Sequence, residues 1–191
     1  MSVYTTVTLP ETTQWLADYD IGVPLDLEGI ASGIENTNYF LTTERGKFVL
    51  TIFEKLSCQE LSFYLDFVAF LSGKGLPCPG PVPRRGGSYL GIFKGKPACL
   101  SICLPGRSVM TPTPEHCAQV GEALAKLHIA GRGFQGKMDN PRGPHWWNRE
   151  SLRILPILDD ERADLLHQEL AYQSSLADVG IPRGFIHADL F

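Results

Sequence analysis

The sequence predicts an α+β fold: five short strands forming an antiparallel sheet with one packed helix, followed by an incomplete, mostly helical part. Three observations carry that expectation. Strand-like runs bounded by turn residues crowd the first half, a single amphipathic helix interrupts them, and from Pro112 the apolar spacing becomes helical. The change falls near Leu104-Pro105-Gly106-Arg107, so we expect a β-rich lobe over residues 1–104 and a helical lobe over residues 105–191.

Each element has a local reason. Pro10 and Glu11 open a short helix that ends near Asp20-Ile21-Gly22. Strands are expected at Val23–Gly29, Asn38–Thr43 and Lys47–Phe53, the last two joined by the Gly-ended turn Thr43-Glu44-Arg45-Gly46. Leu61, Tyr64, Phe67, Val68 and Leu71 place one apolar stripe on a helix over residues 57–73, stopped by Gly75 and Pro77. A Pro/Gly-rich loop follows over Pro77–Gly87, then strands at Ser88–Phe93 and Pro97–Leu104 around Lys94-Gly95-Lys96. Thr113 caps a helix whose stripe is Cys117, Val120, Leu124 and Leu127, ending at His128. After a Gly/Pro-rich segment from Gly131 to Pro144, a second long helix is expected from Asp159 to about Asp178.

Composition narrows the function classes. At 191 residues and 43% apolar content, the chain can bury a sizeable core. A net charge of −4 gives no basic footprint, which argues against nucleic acid as a partner. No apolar run approaches the ~20 residues that span a bilayer, and Met1-Ser2-Val3-Tyr4-Thr5 does not read as a signal peptide, so a cytoplasmic location is expected. Five cysteines, an odd number without a C-x-x-C pair, read as reduced thiols. A zinc site from Cys117, His116 and His128 lacks the paired spacings and is rejected.

The chemistry is signalled at the end of the chain. His187-Ala188-Asp189 follows an apolar, strand-like Gly184-Phe185-Ile186, the pattern by which kinase-type phosphotransferases present a carboxylate to a substrate hydroxyl. Asp189 is therefore the candidate base, and His187 braces its loop. Upstream, Gly29–Tyr39 joins the first two strands; its small residues, Gly33 among them, let backbone amides approach a phosphate, and Ser32, Asn36 and Thr37 add polar donors, although a structural hairpin turn has the same composition. On the third strand, alternation puts Val49, Thr51 and Phe53 on one face: Val49 can cover an adenine ring, and Thr51 stands where a phosphate-binding Lys is expected. Thr cannot neutralise phosphate, so Lys47 or Lys55 on the same face is a candidate helper; a solvated charge at a strand end is the competing reading. Glu60 is the acid that would pair such a Lys, or an ordinary helix N-terminal acid. His128 reads as a satisfied core or helix C-terminal residue, and His145-Trp146-Trp147 as core packing or as a wall of an acceptor pocket.

Taken together, Ser32–Phe40, Phe48–Glu54, Gly75-Leu76-Pro77-Cys78-Pro79, Leu104-Pro105-Gly106-Arg107 and Gly184–Phe191 resemble the homoserine kinases of the aminoglycoside/choline phosphotransferase group, which share the protein kinase-like fold. The resemblance implies ATP-dependent phosphorylation of the L-homoserine hydroxyl, in threonine biosynthesis, with Mg²⁺. It implies Asp189 as catalytic base, the Ser32–Asn36 loop over the phosphates and the backbone from Ile102 to Leu104 against adenine. The family's metal-binding Asn and later Asp have no counterpart within this chain, so a C-terminally truncated, inactive kinase is the expectation. The alternatives are another small-molecule kinase, acting on an amino alcohol or aminoglycoside, and a non-catalytic nucleotide-binding remnant.

Overall fold

The computed structural model describes residues 3–176, 180 and 182–188. It divides into two compact units, Met1–Gly136 with Phe185–Phe191, and Lys137–Gly184.

The first unit is built on a five-stranded antiparallel sheet of order β1-β2-β3-β5-β4, made by β1 (Pro24–Gly29), β2 (Thr37–Thr43), β3 (Gly46–Ile52), β4 (Leu90–Phe93) and β5 (Lys96–Ile102). The β2–β3 hairpin closes at Thr43 and Gly46, and this turn fixes the register back to Asn38 opposite Thr51. Lys94 and Gly95 both take positive φ (52° and 77°), the two-residue turn whose twist suits the β4–β5 hairpin. Strand β5 ends at Ile102, so Leu104 lies beyond the sheet rather than in it.

One face of the sheet is closed. Tyr39, Leu41, Leu50, Ile52, Ala98 and Leu100 cluster with Val7, Leu16, Tyr19 and Ile21 from the N-terminal segment. That segment contains α1 (Leu9–Trp15), started by a reciprocal Thr8–Glu11 capping box, and a 3-10 turn over Leu16–Asp18. Trp15 stacks on Phe93 at 5.3 Å and donates its indole N–H to the Ile92 carbonyl at 3.0 Å, anchoring the helix to the sheet edge.

Helix α2 (Cys58–Gly73) starts at a second capping box, Ser57 with Glu60, and packs on α3 (Pro114–Gly131), which Thr113 caps as expected. Phe63, Phe67, Phe134 and Phe185 form one aromatic cluster, with Phe70 against Phe134; the shortest centroid separation is 4.5 Å, between Phe67 and Phe185. Gly184-Phe185-Ile186 does not form the expected strand; no strand pairs with it among the described residues, and Phe185 is held by ring packing instead.

The second unit contains α4 (Pro144–Ile154) and α5 (Asp160–Ser175), with a 3-10 turn over Leu155–Ile157 between them. Helix α4 was not expected, because its aromatic start sits against a Gly/Pro-rich segment. Its signals are nonetheless present: Gly143 at the N-cap and Pro144 at the first helical position. Asp159 caps α5, accepting the Arg162 backbone N–H at 2.9 Å.

Candidate functional site

Because directly opposed residues of an antiparallel ladder share a face, the register sorts the sheet into two sides. Thr37, Tyr39, Leu41, Leu50, Ile52, Ala98 and Leu100 belong to the core face. Asn38, Phe40, Val49, Thr51, Ser101 and Cys99 belong to the other. Val49 and Thr51 thus share a face as the alternation required, with Asn38 beside Thr51 on β2.

At the loop end of this face the backbone is held from both sides. The Ile30 N–H donates to the Asn38 carbonyl at 2.9 Å, closing the base of the 31–36 loop. On the core side, Thr37 Oγ1 accepts the backbone N–H groups of Tyr4 and Thr5 at 2.9 and 3.0 Å and donates to Glu54 Oε1 at 2.7 Å. Tyr4 donates its hydroxyl to the Ile34 carbonyl at 3.0 Å. Ser32 and Gly33 sit at the exposed crest; Gly33 has φ +112°, and an added Cβ there would meet only Asn38 Nδ2, at 3.7 Å. The crest therefore presents bare backbone, the geometry that admits a phosphate.

Thr51 is not paired with a cation. Its Oγ1 donates to Asn38 Oδ1 at 2.8 Å, and Asn38 Nδ2 donates to the Asn36 carbonyl at 3.4 Å, linking β3 to the loop. Asn38 is the participant that the sequence reading missed. Counting back from the Thr43–Gly46 turn would have found it, since that register puts 38 opposite 51.

The helper lysines fall elsewhere. Lys47 lies opposite Thr42 and its carbonyl accepts the Cys103 N–H at 3.2 Å. It stands four residues from Thr51, about 13 Å along the strand, at the end away from the loop. Lys55 follows the strand and is exposed. Lys96 is ion-paired with Glu54, which also takes hydrogen bonds from Thr5 and Thr37. Burial pushes the Glu54 carboxyl up, but the bonds from Lys96, Thr37 and Thr5 outweigh it and hold the group below the usual range. Glu60 turns back on Ser57, whose hydroxyl and backbone N–H both bond its Oε2, at 2.7 and 2.9 Å. That capping role lowers its carboxyl and uses the acid proposed for pairing a Lys.

The opposite end of β3 meets the segment after β5. Ile102 donates its N–H to the Gly80 carbonyl at 3.0 Å and Cys103 to the Lys47 carbonyl at 3.2 Å. Among the described residues nothing accepts the Leu104 N–H, so of these three amides it is the one open to a ligand. Gly80 is needed where it stands: an added Cβ would lie 2.5 Å from Ser72 Oγ on α2.

Asp189 lies outside the described residues. The residues leading to it are placed by α2 and α3. Phe185 enters the aromatic cluster, and His187 lines a cavity of about 260 Å³ with Leu71, Leu76, Cys78, Val120, Leu124 and Leu127. Ala188 is exposed and takes φ +61°, a left-handed conformation that few non-glycine residues adopt. His128 is the helix C-terminal histidine of the two readings, standing in the last turn of α3, and not a satisfied one: its Nε2 is buried without a hydrogen-bond partner among the described residues. In the second unit Trp146 and Trp147 line a separate, largely apolar cavity of about 370 Å³ with Ile154, Leu166 and Leu170. The Arg142 guanidinium lies 4.7 Å from the Trp146 ring.

No three His, Cys, Asp or Glu side chains gather within reach of one metal ion among the described residues. These residues do not make a Mg²⁺ site by themselves. No helix among them is long and apolar enough to cross a membrane.

Comparisons with known proteins agree with this architecture. Over its whole length the chain is 49% identical to a homoserine kinase of Methylobacillus flagellatus and 45% identical to one of Paraburkholderia phytofirmans. It spans 60% and 59% of the lengths of those two relatives. Among solved structures, the amicoumacin kinase hAmiN in complex with AMP-PNP, Ca²⁺ and Ami superposes with a TM-score of 0.69 at 20% identity, covering 95% of this chain and 58% of that one. A spectinomycin phosphotransferase in complex with ADP and spectinomycin gives 0.63 at 12% identity, covering 97% and 64%. These likenesses show the protein kinase-like fold. Residues 26–191 match the model of the phosphotransferase enzyme family, APH. The chain belongs to that family.

Proposed function

We propose that this chain carries the nucleotide-binding part of a kinase that transfers the γ-phosphoryl group of ATP to the hydroxyl of L-homoserine, supplying threonine biosynthesis in the cytoplasm. The observation that carries the reading is the ordered face from Leu104 through Val49 to Asn38 and Gly33. An unpartnered amide stands at one end, an apolar side chain in the middle and a bare-backbone loop at the other. Laid along it, adenine meets Leu104 and Val49, and the phosphates meet Ser32, Gly33 and Asn36. The identity of the acceptor rests on the homoserine kinases that match the whole chain at 45–49%.

In this reading the boundary near Leu104-Pro105 is the hinge between a nucleotide lobe and a helical lobe. Asp189 accepts the proton of the acceptor hydroxyl as its oxygen attacks phosphorus, a role that contributes about 10²–10⁴-fold. His187 positions the loop and takes no proton. Mg²⁺, when bound, neutralises charge on the phosphates. Holding adenine and phosphates fixed supplies the rest, since in-line transfer is chiefly positioning and electrostatics.

The test is ATP consumption by the full-length protein with L-homoserine, choline or an aminoglycoside as acceptor. Homoserine-dependent turnover that Asp189→Asn abolishes is the expected result. Preference for choline or an aminoglycoside overturns the substrate, and turnover unaffected by Asp189→Asn overturns the base.

A further inference from the structure

We propose that the Asn38 carboxamide, oriented by Thr51, is a charge-neutral phosphate donor serving where kinase-like sites rely on a strand lysine. This rests on the nucleotide reading above and names a residue that the reading does not contain.

The argument starts from the hydrogen bonds. An Asn side chain has an acceptor end and a donor end, and its partners decide which way it faces. Thr51 Oγ1 lies 2.8 Å from Oδ1, and the Asn36 carbonyl lies 3.4 Å from Nδ2. Turning the amide over would set its oxygen against the Asn36 carbonyl oxygen, acceptor on acceptor. The Thr51 hydroxyl can donate to Oδ1, and the Asn36 carbonyl can only accept. Together they hold the –NH₂ toward the loop.

That group has two N–H bonds. One is turned to the Asn36 carbonyl through a long contact; the second has no partner among the described residues. It stands next to Gly33, where the absent Cβ leaves the space beside Nδ2 open. The donor therefore lies at the loop where a phosphate would sit, held there by Thr51 on β3 and by the Asn36 carbonyl of the loop itself.

The neighbouring cations do not serve the same place. Lys96 is bound to Glu54 together with Thr5 and Thr37, and Thr37 belongs to the core face of the sheet. Lys47 stands at the far end of β3. A β-branched Thr on a strand is stiff at χ1 and short, so it can aim a neighbour although it cannot reach a phosphate itself. Thr51 is thus a positioning residue, and Asn38 is the one that meets the ligand. Because the donor is uncharged, it contributes orientation rather than charge neutralisation, and phosphate affinity should depend on salt less steeply than a lysine contact would.

The experiment is calorimetric binding of ADP and of adenosine to the full-length protein and its variants. Asn38→Asp keeps the shape, removes the donor and adds a negative charge, so ADP affinity should fall by about 10–100-fold while adenosine binds as before. Thr51→Val removes the hydroxyl at nearly constant volume and should weaken ADP by roughly three- to tenfold; Thr51→Ser should restore it. Unchanged adenosine affinity confirms that each variant is folded. If both variants bind ADP like the parent, or if Lys55→Ala costs more ADP affinity than Asn38→Asp, the inference falls and the nucleotide reading stands. A parent protein that binds neither ligand overturns both.

Discussion

The two faces of the sheet are built from the same strands, residue by residue in alternation, and differ in nearly everything else. The core face carries Leu41, Leu50, Ile52 and Leu100, fully buried, and the polar residue at the first position of β2, Thr37, has every hydrogen-bonding capacity used. The other face carries Asn38, Phe40, Val49, Thr51 and Ser101, mostly half-buried or exposed, with a side-chain amide still able to donate. A closed face of that kind specifies the fold. An open one, flanked by a free amide and a bare loop, is the face along which the proposed nucleotide would lie. Substitutions should therefore divide cleanly: those on the core face act on stability, and those on the open face act on binding.

The sharpest break would come at one pair of neighbours. Leu50→Ala empties a fully buried position and should cost about 2–5 kcal/mol in urea unfolding. Val49→Ala, one residue away on the open face, should cost under about 1 kcal/mol while weakening adenosine binding several-fold. Equal losses of stability at both positions would erase the distinction between the faces.

The next test concerns how the core face grips the N-terminal segment. Glu54 links Lys96, Thr5 and Thr37, and its carboxyl lies below the ordinary 4.5 in the folded chain. The unfolded chain then takes up the proton first on acidification. The contribution is complete above about pH 4.5 and is lost as pH falls toward the lower folded value. Glu54→Gln should cost about 1–2 kcal/mol at pH 7, discounted for the half-exposed lysine, and should flatten the acid limb of stability. An unaltered limb would assign the acid sensitivity to other carboxylates.

How much of this was legible beforehand follows from range. The strands and their hairpins were readable because alternation and Gly-ended turns are local signals, and α2 and α3 because their capping residues stand beside apolar stripes. The role of Thr51 was only half readable. Its identity announced a missing cation, but its partner Asn38 lies thirteen positions away in sequence, and only the register joins them. Of the two readings of Glu60, the helix N-terminal acid is the one realised, because Ser57, three residues before it, competes locally for the carboxylate. Gly184-Phe185-Ile186 has a strand's composition without a strand to pair with among the described residues, and the anchor of Phe185 is a ring cluster drawn from α2 and the turn after α3. Helix α4 was obscured by the Gly and Pro that in fact begin it.

Gly33 sharpens the open face at smaller cost. Its φ of +112° disfavours any side chain, so Gly33→Ala should lower stability by about 1 kcal/mol. Its larger effect should be on ADP rather than adenosine, because the methyl group enters the space beside Asn38 Nδ2. Loss of adenosine affinity in parallel would place the damage in the sheet rather than in the loop.

The smallest effect is expected at Ala188, exposed and left-handed immediately before Asp189. A side chain in that conformation costs up to about 1 kcal/mol relative to glycine, and an exposed methyl loses little packing when removed. Ala188→Gly should therefore leave stability unchanged or raise it by up to ~1 kcal/mol. If the backbone strain serves to aim Asp189, turnover should nonetheless fall in the same variant, since glycine relaxes the aim along with the strain. A fall in kcat without a fall in stability or in ADP affinity would separate the loop proposed to bear the base from the sheet face proposed to hold the nucleotide. A gain in stability with full turnover would show that the strain is incidental.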